Sequence, residues 1–148
     1  MKLVKKYSHL SAEEYLMVHH KKLYKEIIDI INTVDNSEEA EKIFEKLFIS
    51  RDWDKRKNTQ NQNDFIKNKI GLTFFFSKDS INLFDLFANH LIRYFFEEIN
   101  VGIEVLPTKK MQRQMSSGPP WFEKEVHNVL RHGRTNPPVP LLILGIEP

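Results

Sequence analysis

Val101-Gly102-Ile103-Glu104-Val105-Leu106-Pro107 is the stretch on which the fold turns. It is rich in branched apolar residues, and it stops at a proline, which has no amide hydrogen to offer a sheet. It predicts a core strand over 101–106. Leu141-Leu142-Ile143-Leu144, introduced by Pro137, Pro138 and Pro140, predicts a final buried strand. Ile70 to Phe76 is aromatic and β-rich and predicts another. Leu3 to Tyr7 reads as a short first strand or an arm.

Outward from these runs the periodicity becomes helical. Ser11-Ala12-Glu13-Glu14 has the form of a capping box, with Ser11 as N-cap and Glu14 three residues on. Leu16, Leu23, Ile27, Ile30, Ile31 and Val34 follow at helical spacing, which predicts a helix to about Asn32. Asn36 with Glu39 is a second capping signal, ahead of Ile43, Phe44, Leu47 and Phe48 and an end near Arg51. Trp53 to Asn63 is polar and without period, and reads as a loop. Asp79 or Ser80 can cap a helix over 81–98, whose apolar residues on nearly every side suggest a central helix or one covered by a partner subunit. A short polar helix is expected over Lys109–Met115, a turn at Ser116-Ser117-Gly118-Pro119-Pro120, and a helix from Pro120 to about Arg131, ended by Gly133. Strands alternating with helices imply an α/β fold, a mixed sheet flanked by helices.

Composition narrows the function. The 148 residues suit one domain over 1–148, and 41% hydrophobic residues are enough for a core. With no cysteine, disulfides, Cys-based zinc sites and thiol catalysis are excluded. None of the six histidines forms a His-x-x-x-His pair. No run approaches a signal peptide or a membrane span, so an intracellular, cytoplasmic protein is expected. The net charge of +2 is too small to announce a nucleic-acid binder. Between Pro107 and Arg134, however, Lys109, Lys110, Arg113, Lys124, Arg131 and Arg134 face only Glu123 and Glu125, a local positive cluster.

Several motifs in fixed order then carry a resemblance. They are the 101–107 strand, Met115-Ser116-Ser117-Gly118, Glu123-x-Glu125, Asn128-Val129-Leu130-Arg131-x-Gly133-Arg134, and Val139-Pro140-Leu141 through Gly145-Ile146. Lys6-Tyr7-Ser8-His9-Leu10, Glu14-Tyr15, Val18-His19 and Glu26-Ile27-Ile28 add to them. Together they resemble the BglII/BstYI-type type II restriction endonucleases, of the PD-(D/E)xK superfamily, over most of the chain. A longer insert of that family is replaced here by the polar stretch at 53–63. The resemblance implies a restriction-endonuclease-like mixed sheet, a homodimer on double-stranded DNA, a palindromic site centred on GATC, and Mg²⁺-dependent phosphodiester hydrolysis.

The same resemblance locates a departure. Asp64 matches the first metal-binding aspartate. Nine residues on, where the family carries Glu-x-Gln, stand Thr73 and Phe75. A threonine hydroxyl is a poor replacement for a carboxylate on a hard cation, and a phenyl ring offers no ligand. Only Asp64 is left to hold Mg²⁺, with Asp79 or Glu104 as conceivable replacements. The expectation is therefore a DNA-binding protein that does not cleave, needing no cofactor, or Mg²⁺ if activity survives. Lys109, Lys110, Arg113, Ser116, Ser117, Arg131 and Arg134 are the candidate DNA contacts. An active Mg²⁺-dependent endonuclease and a dimeric scaffold or relic without DNA affinity are the competing readings.

Overall fold

A computed structural model describes residues 1–35, 38–56, 63–76, 85–116 and 118–148. Along the chain run β1 (Lys2–His9), α1 (Ala12–His19), α2 (Lys21–Thr33), α3 (Ala40–Ser50), β2 (Asp54–Lys55), β3 (Asp64–Lys67) and β4 (Ile70–Phe74). They are followed by α4 (Ala88–Phe95), β5 (Val101–Pro107), α5 (Lys109–Gln112), α6 (Phe122–Leu130) and β6 (Leu141–Glu147). The strands form one sheet in the order β1-β6-β5-β4-β3-β2. β4, β5 and β6 are parallel, while β1, β3 and β2 join antiparallel. The expected α/β architecture, a mixed sheet flanked by helices, is present.

Strand alternation sorts the side chains onto two faces. Phe65, Leu72, Phe74, Ile103, Val105, Leu142 and Leu144 enter the larger core with residues of α1, α2 and α3. There Phe44, Phe48, Phe65, Phe74 and Phe76 pack ring against ring, with centroids 5.5–6.4 Å apart. Each such fully buried side chain contributes roughly 1.5–3 kcal/mol. On the opposite face Phe75, Leu106, Leu141 and Ile143 pack with Phe87, Phe122, Val129 and Val139. Glycines let the helices of this face come close. A Cβ on Gly102 would stand 2.6 Å from His90 Cγ of α4, and one on Gly145 would stand 2.9 Å from Phe122 Cγ of α6.

Several local expectations are corrected. Ser11 lies in the left-handed region at φ 55° and makes no side-chain cap. Leu10, at φ 51°, and Ser11 turn the chain so that the Ser8 hydroxyl reaches the first turn of α1 and accepts from the Glu13 amide at 3.0 Å. The first helix is two helices, broken at His20, whose φ of −141° leaves the helical region. The polar stretch after Trp53 is not all loop. Asp54 and Lys55 pair with Ile66 and Phe65 as an edge strand, and Trp53 is buried, donating to Glu26 Oε1 at 2.8 Å. Asp64–Lys67, not expected as a strand, forms a hairpin with β4. The helix expected over 81–98 is described only as α4, and its proposed caps Asp79 and Ser80 lie outside the described residues, as does Asn36. α5 is shorter than the polar helix foreseen, with Thr108 Oγ1 accepting from the Met111 amide. α6 starts at Phe122, two residues after Pro120.

Candidate functional site

Register sets a row of side chains across the face that carries α4 and α6. Asp64 of β3 stands opposite Thr73 of β4, and Thr73 is in register with Glu104 of β5, itself in register with Ile143 of β6. Asp64, Thr73 and Glu104 are all buried. The two positions singled out in the sequence, 64 and 73, are thus neighbours: Thr73 Oγ1 donates to Asp64 Oδ1 at 3.3 Å. Phe75, two residues further on the same face, is buried among the apolar residues beneath α6.

Above Asp64 lies a cation supplied by the chain itself. Arg93 Nη1 donates to Asp64 Oδ1 at 2.5 Å, and Nη2 stands 2.5 Å from Oδ2. Asp64 is fully buried and the Arg93 side chain is 8% exposed, so little water screens the pair. Arg93 Nε is also 3.9 Å from Glu98, which accepts from Arg56 at 2.8 Å. One turn earlier on α4, His90 Nε2 lies 3.2 Å from Thr73 Oγ1. Burial, only partly offset by the nearby Asp64 carboxylate, lowers His90 to about 4, so the imidazole is neutral at physiological pH. Sequence reasoning missed Arg93. Its signal was a cationic residue three positions after His90 inside an otherwise apolar helical run, a spacing that puts both on one face.

A second acidic group adjoins the row. Glu104 and Glu125 of α6 are both buried. Both Glu104 oxygens and Glu125 Oε1 lack a hydrogen-bond partner. Burial first, and then the Glu125 charge, pushes Glu104 well above the carboxylate range. Burial also pushes Glu125 up to about 8. At neutral pH the pair therefore holds protons, and a protonated carboxyl can donate to its neighbour. Asp85, which accepts from Asn128 at 2.9 Å, adds negative charge beside it.

These residues do not suit Mg²⁺. A hard divalent ion needs several oxygen ligands, commonly including one or two carboxylates. Here the single carboxylate of the 64/73/75 set is already neutralised by Arg93, the second position is a neutral hydroxyl, and the third is a buried ring. Among the described residues no group of three or more His, Asp or Glu is arranged to hold a metal ion. Glu104 neighbours Thr73 but is pushed towards its protonated form by burial and by the nearby Glu125 charge, which makes it a poor ligand, and Asp79 lies outside the described residues.

The candidate DNA contacts do not form one cluster. Lys109, Lys110 and Arg113 are exposed on and just after α5, at the end of β5. Lys110 Nζ contacts Glu147 at 3.2 Å. Ser116 is exposed, and Ser117 lies outside the described residues. Arg131 and Arg134 follow the other end of α6, a nine-residue helix and so about 13 Å long. Arg131 Nε donates to Asn128 Oδ1 at 2.7 Å. Arg134 borders a surface pocket with Tyr7, Ser8, His9, Leu10, Leu130 and Gly133. Ile92, Phe95 and Phe96, at i, i+3 and i+4 along and just beyond α4, are exposed, Phe96 by 75%. No helix among the described residues is long and apolar enough to cross a membrane.

The mixed sheet, with a buried aspartate on an antiparallel hairpin beside parallel strands, agrees with the restriction-endonuclease-like fold that the resemblance in the sequence implies. Residues 4–146 match the family model described as restriction endonuclease BglII/BglIII, and the chain belongs to that family. The crystal structure of free BglII superposes with a TM-score of 0.73, covering 100% of this chain and 80% of that one. At 15% identity this likeness shows the fold. A search of curated proteins gave no match.

Proposed function

We propose that this protein binds duplex DNA as a homodimer and does not cleave it. The observation that carries the reading is the pairing at Asp64. Its carboxylate, the one acidic group at positions 64, 73 and 75, is closed off by Arg93. Catalysis of phosphodiester hydrolysis at such a site depends on electrostatic groups aimed at the reacting phosphate, each contributing about 10²–10³-fold. With Thr73 and Phe75 in place of two of those groups, cleavage falls away while the surfaces that touch DNA are free to persist. Lys109, Lys110, Arg113, Ser116, Ser117, Arg131 and Arg134 supply phosphate and base contacts in this reading. The duplex proposed for this protein, by family resemblance, is a palindrome centred on GATC. The exposed stripe Ile92, Phe95 and Phe96 is the candidate dimer contact, since apolar side chains in such a row gain by meeting their copies across a two-fold axis.

Fluorescence anisotropy with two labelled duplexes, one centred on GATC and one scrambled, at two salt concentrations with Mg²⁺ present, tests this. A denaturing gel of the same samples reads cleavage. Preferential binding to the GATC duplex with intact strands is the expected result. Cut strands would establish an active endonuclease, and no binding to either duplex would leave a scaffold.

A further inference from the structure

We propose that Arg93 is a built-in counter-cation for Asp64, and that its guanidinium, as much as the missing carboxylate at position 73, keeps divalent ions out of this pocket. Both Asp64 oxygens stand 2.5 Å from one guanidinium fork. A second carboxylate, Glu98, stands 3.9 Å from Nε and is itself paired with Arg56. α4 lies close on the sheet, because His90 is seated on Gly71 and Gly102, where added methyl groups would stand 2.7 and 2.6 Å from the ring. A divalent ion placed on Asp64 would therefore meet a fixed positive charge a few ångströms away in a region sheltered from water, where like charges repel strongly. Loss of a ligand and gain of a cation are separate obstacles, and this chain carries both.

The two obstacles are separable by experiment. Mn²⁺ binding is measured from the free-ion electron paramagnetic resonance signal for the unsubstituted protein, Thr73→Glu, Arg93→Met and the double variant. Far-UV circular dichroism checks each fold, and Arg93→Gln replaces Arg93→Met should the latter not fold. The expected result is that only the double variant takes up Mn²⁺, at least about tenfold more tightly than any other, and that adding Asp64→Asn abolishes the gain. Thr73→Glu alone binding as tightly as the double variant would overturn the role given to Arg93. So would a folded double variant that binds no better than the unsubstituted protein. The inference takes its location from the function proposed above. Its readout contains no DNA, so failure of ion exclusion and failure of DNA binding are told apart.

Discussion

A series of urea unfolding curves taken between pH 6.5 and 8 isolates the Glu104–Glu125 pair. Glu125 rises from 4.5 to about 8 on folding, so across this interval the folded protein keeps a proton that the unfolded chain has released. A carboxyl whose folded value lies above its unfolded value lends full stability at low pH and loses it as pH climbs towards the folded value. At about 1.4 kcal/mol per pH unit, the interval costs about 2 kcal/mol for the proton that Glu125 holds. Glu104 is shifted in the same direction and deepens the fall. His90 and His20, both lowered from an ordinary value of 6.5 chiefly by burial, work oppositely and mainly at the acid end of the interval and below it, where the unfolded chain takes up protons that the folded rings refuse. Lys5, Lys6 and Tyr24 are shifted upward from ordinary values of 10 or more, outside the window. The unfolding midpoint should therefore fall steadily from pH 6.5 to 8. The fall should shrink in Glu104→Gln and vanish when Glu125→Gln is added. A flat or rising midpoint, or an undiminished fall in the double variant, would refute the reasoning.

Other outcomes follow from geometry already given. Gly102→Ala drives a methyl group into the root of His90 rather than a flexible tip, and should cost about 1–3 kcal/mol in chemical denaturation. Phe95→Asp combined with Phe96→Asp should yield monomers in sedimentation velocity with the far-UV circular dichroism spectrum unchanged, because both side chains are exposed in the single chain. Replacing Lys109, Lys110 and Arg113 by Ala should flatten the salt dependence of DNA binding, by about 0.9 in logarithmic slope per lost phosphate contact. Unchanged slopes would remove α5 from the interface.

The parts of the fold set by local sequence were readable. Runs such as Leu141–Leu144 and Val101–Leu106 declare themselves because strands buried on both faces need no polar alternation. The hairpin at Asp64 was hidden, since Asp64, Lys67 and Asn68 look like loop residues until Arg93, 29 positions on, neutralises the aspartate. The cap at Ser8 was equally invisible. It depends on two consecutive left-handed residues, Leu10 and Ser11, neither of which is the glycine that usually marks such a turn. At the site, the sequence indicated what position 73 had lost, but the cation gained at position 93 is a tertiary relation that spacing alone does not disclose. Glu104 stands in a run that reads as a core strand, where a carboxylate is unexpected, and it is fully buried beside Glu125 of α6.

β1 completes the sheet by pairing with β6, Lys2 opposite Glu147 and His9 opposite Leu141. During synthesis the first strand therefore waits for a partner 132–145 residues further along before its neighbour exists. Loop-closure entropy makes such long-range pairings slow to form. Until Leu141–Glu147 leaves the ribosome, Val101–Pro107 stands as an open edge made of buried residues, able to pair with another nascent chain. The yield of folded protein should thus respond to chaperone supply and growth temperature more than the stability of the finished sheet would suggest.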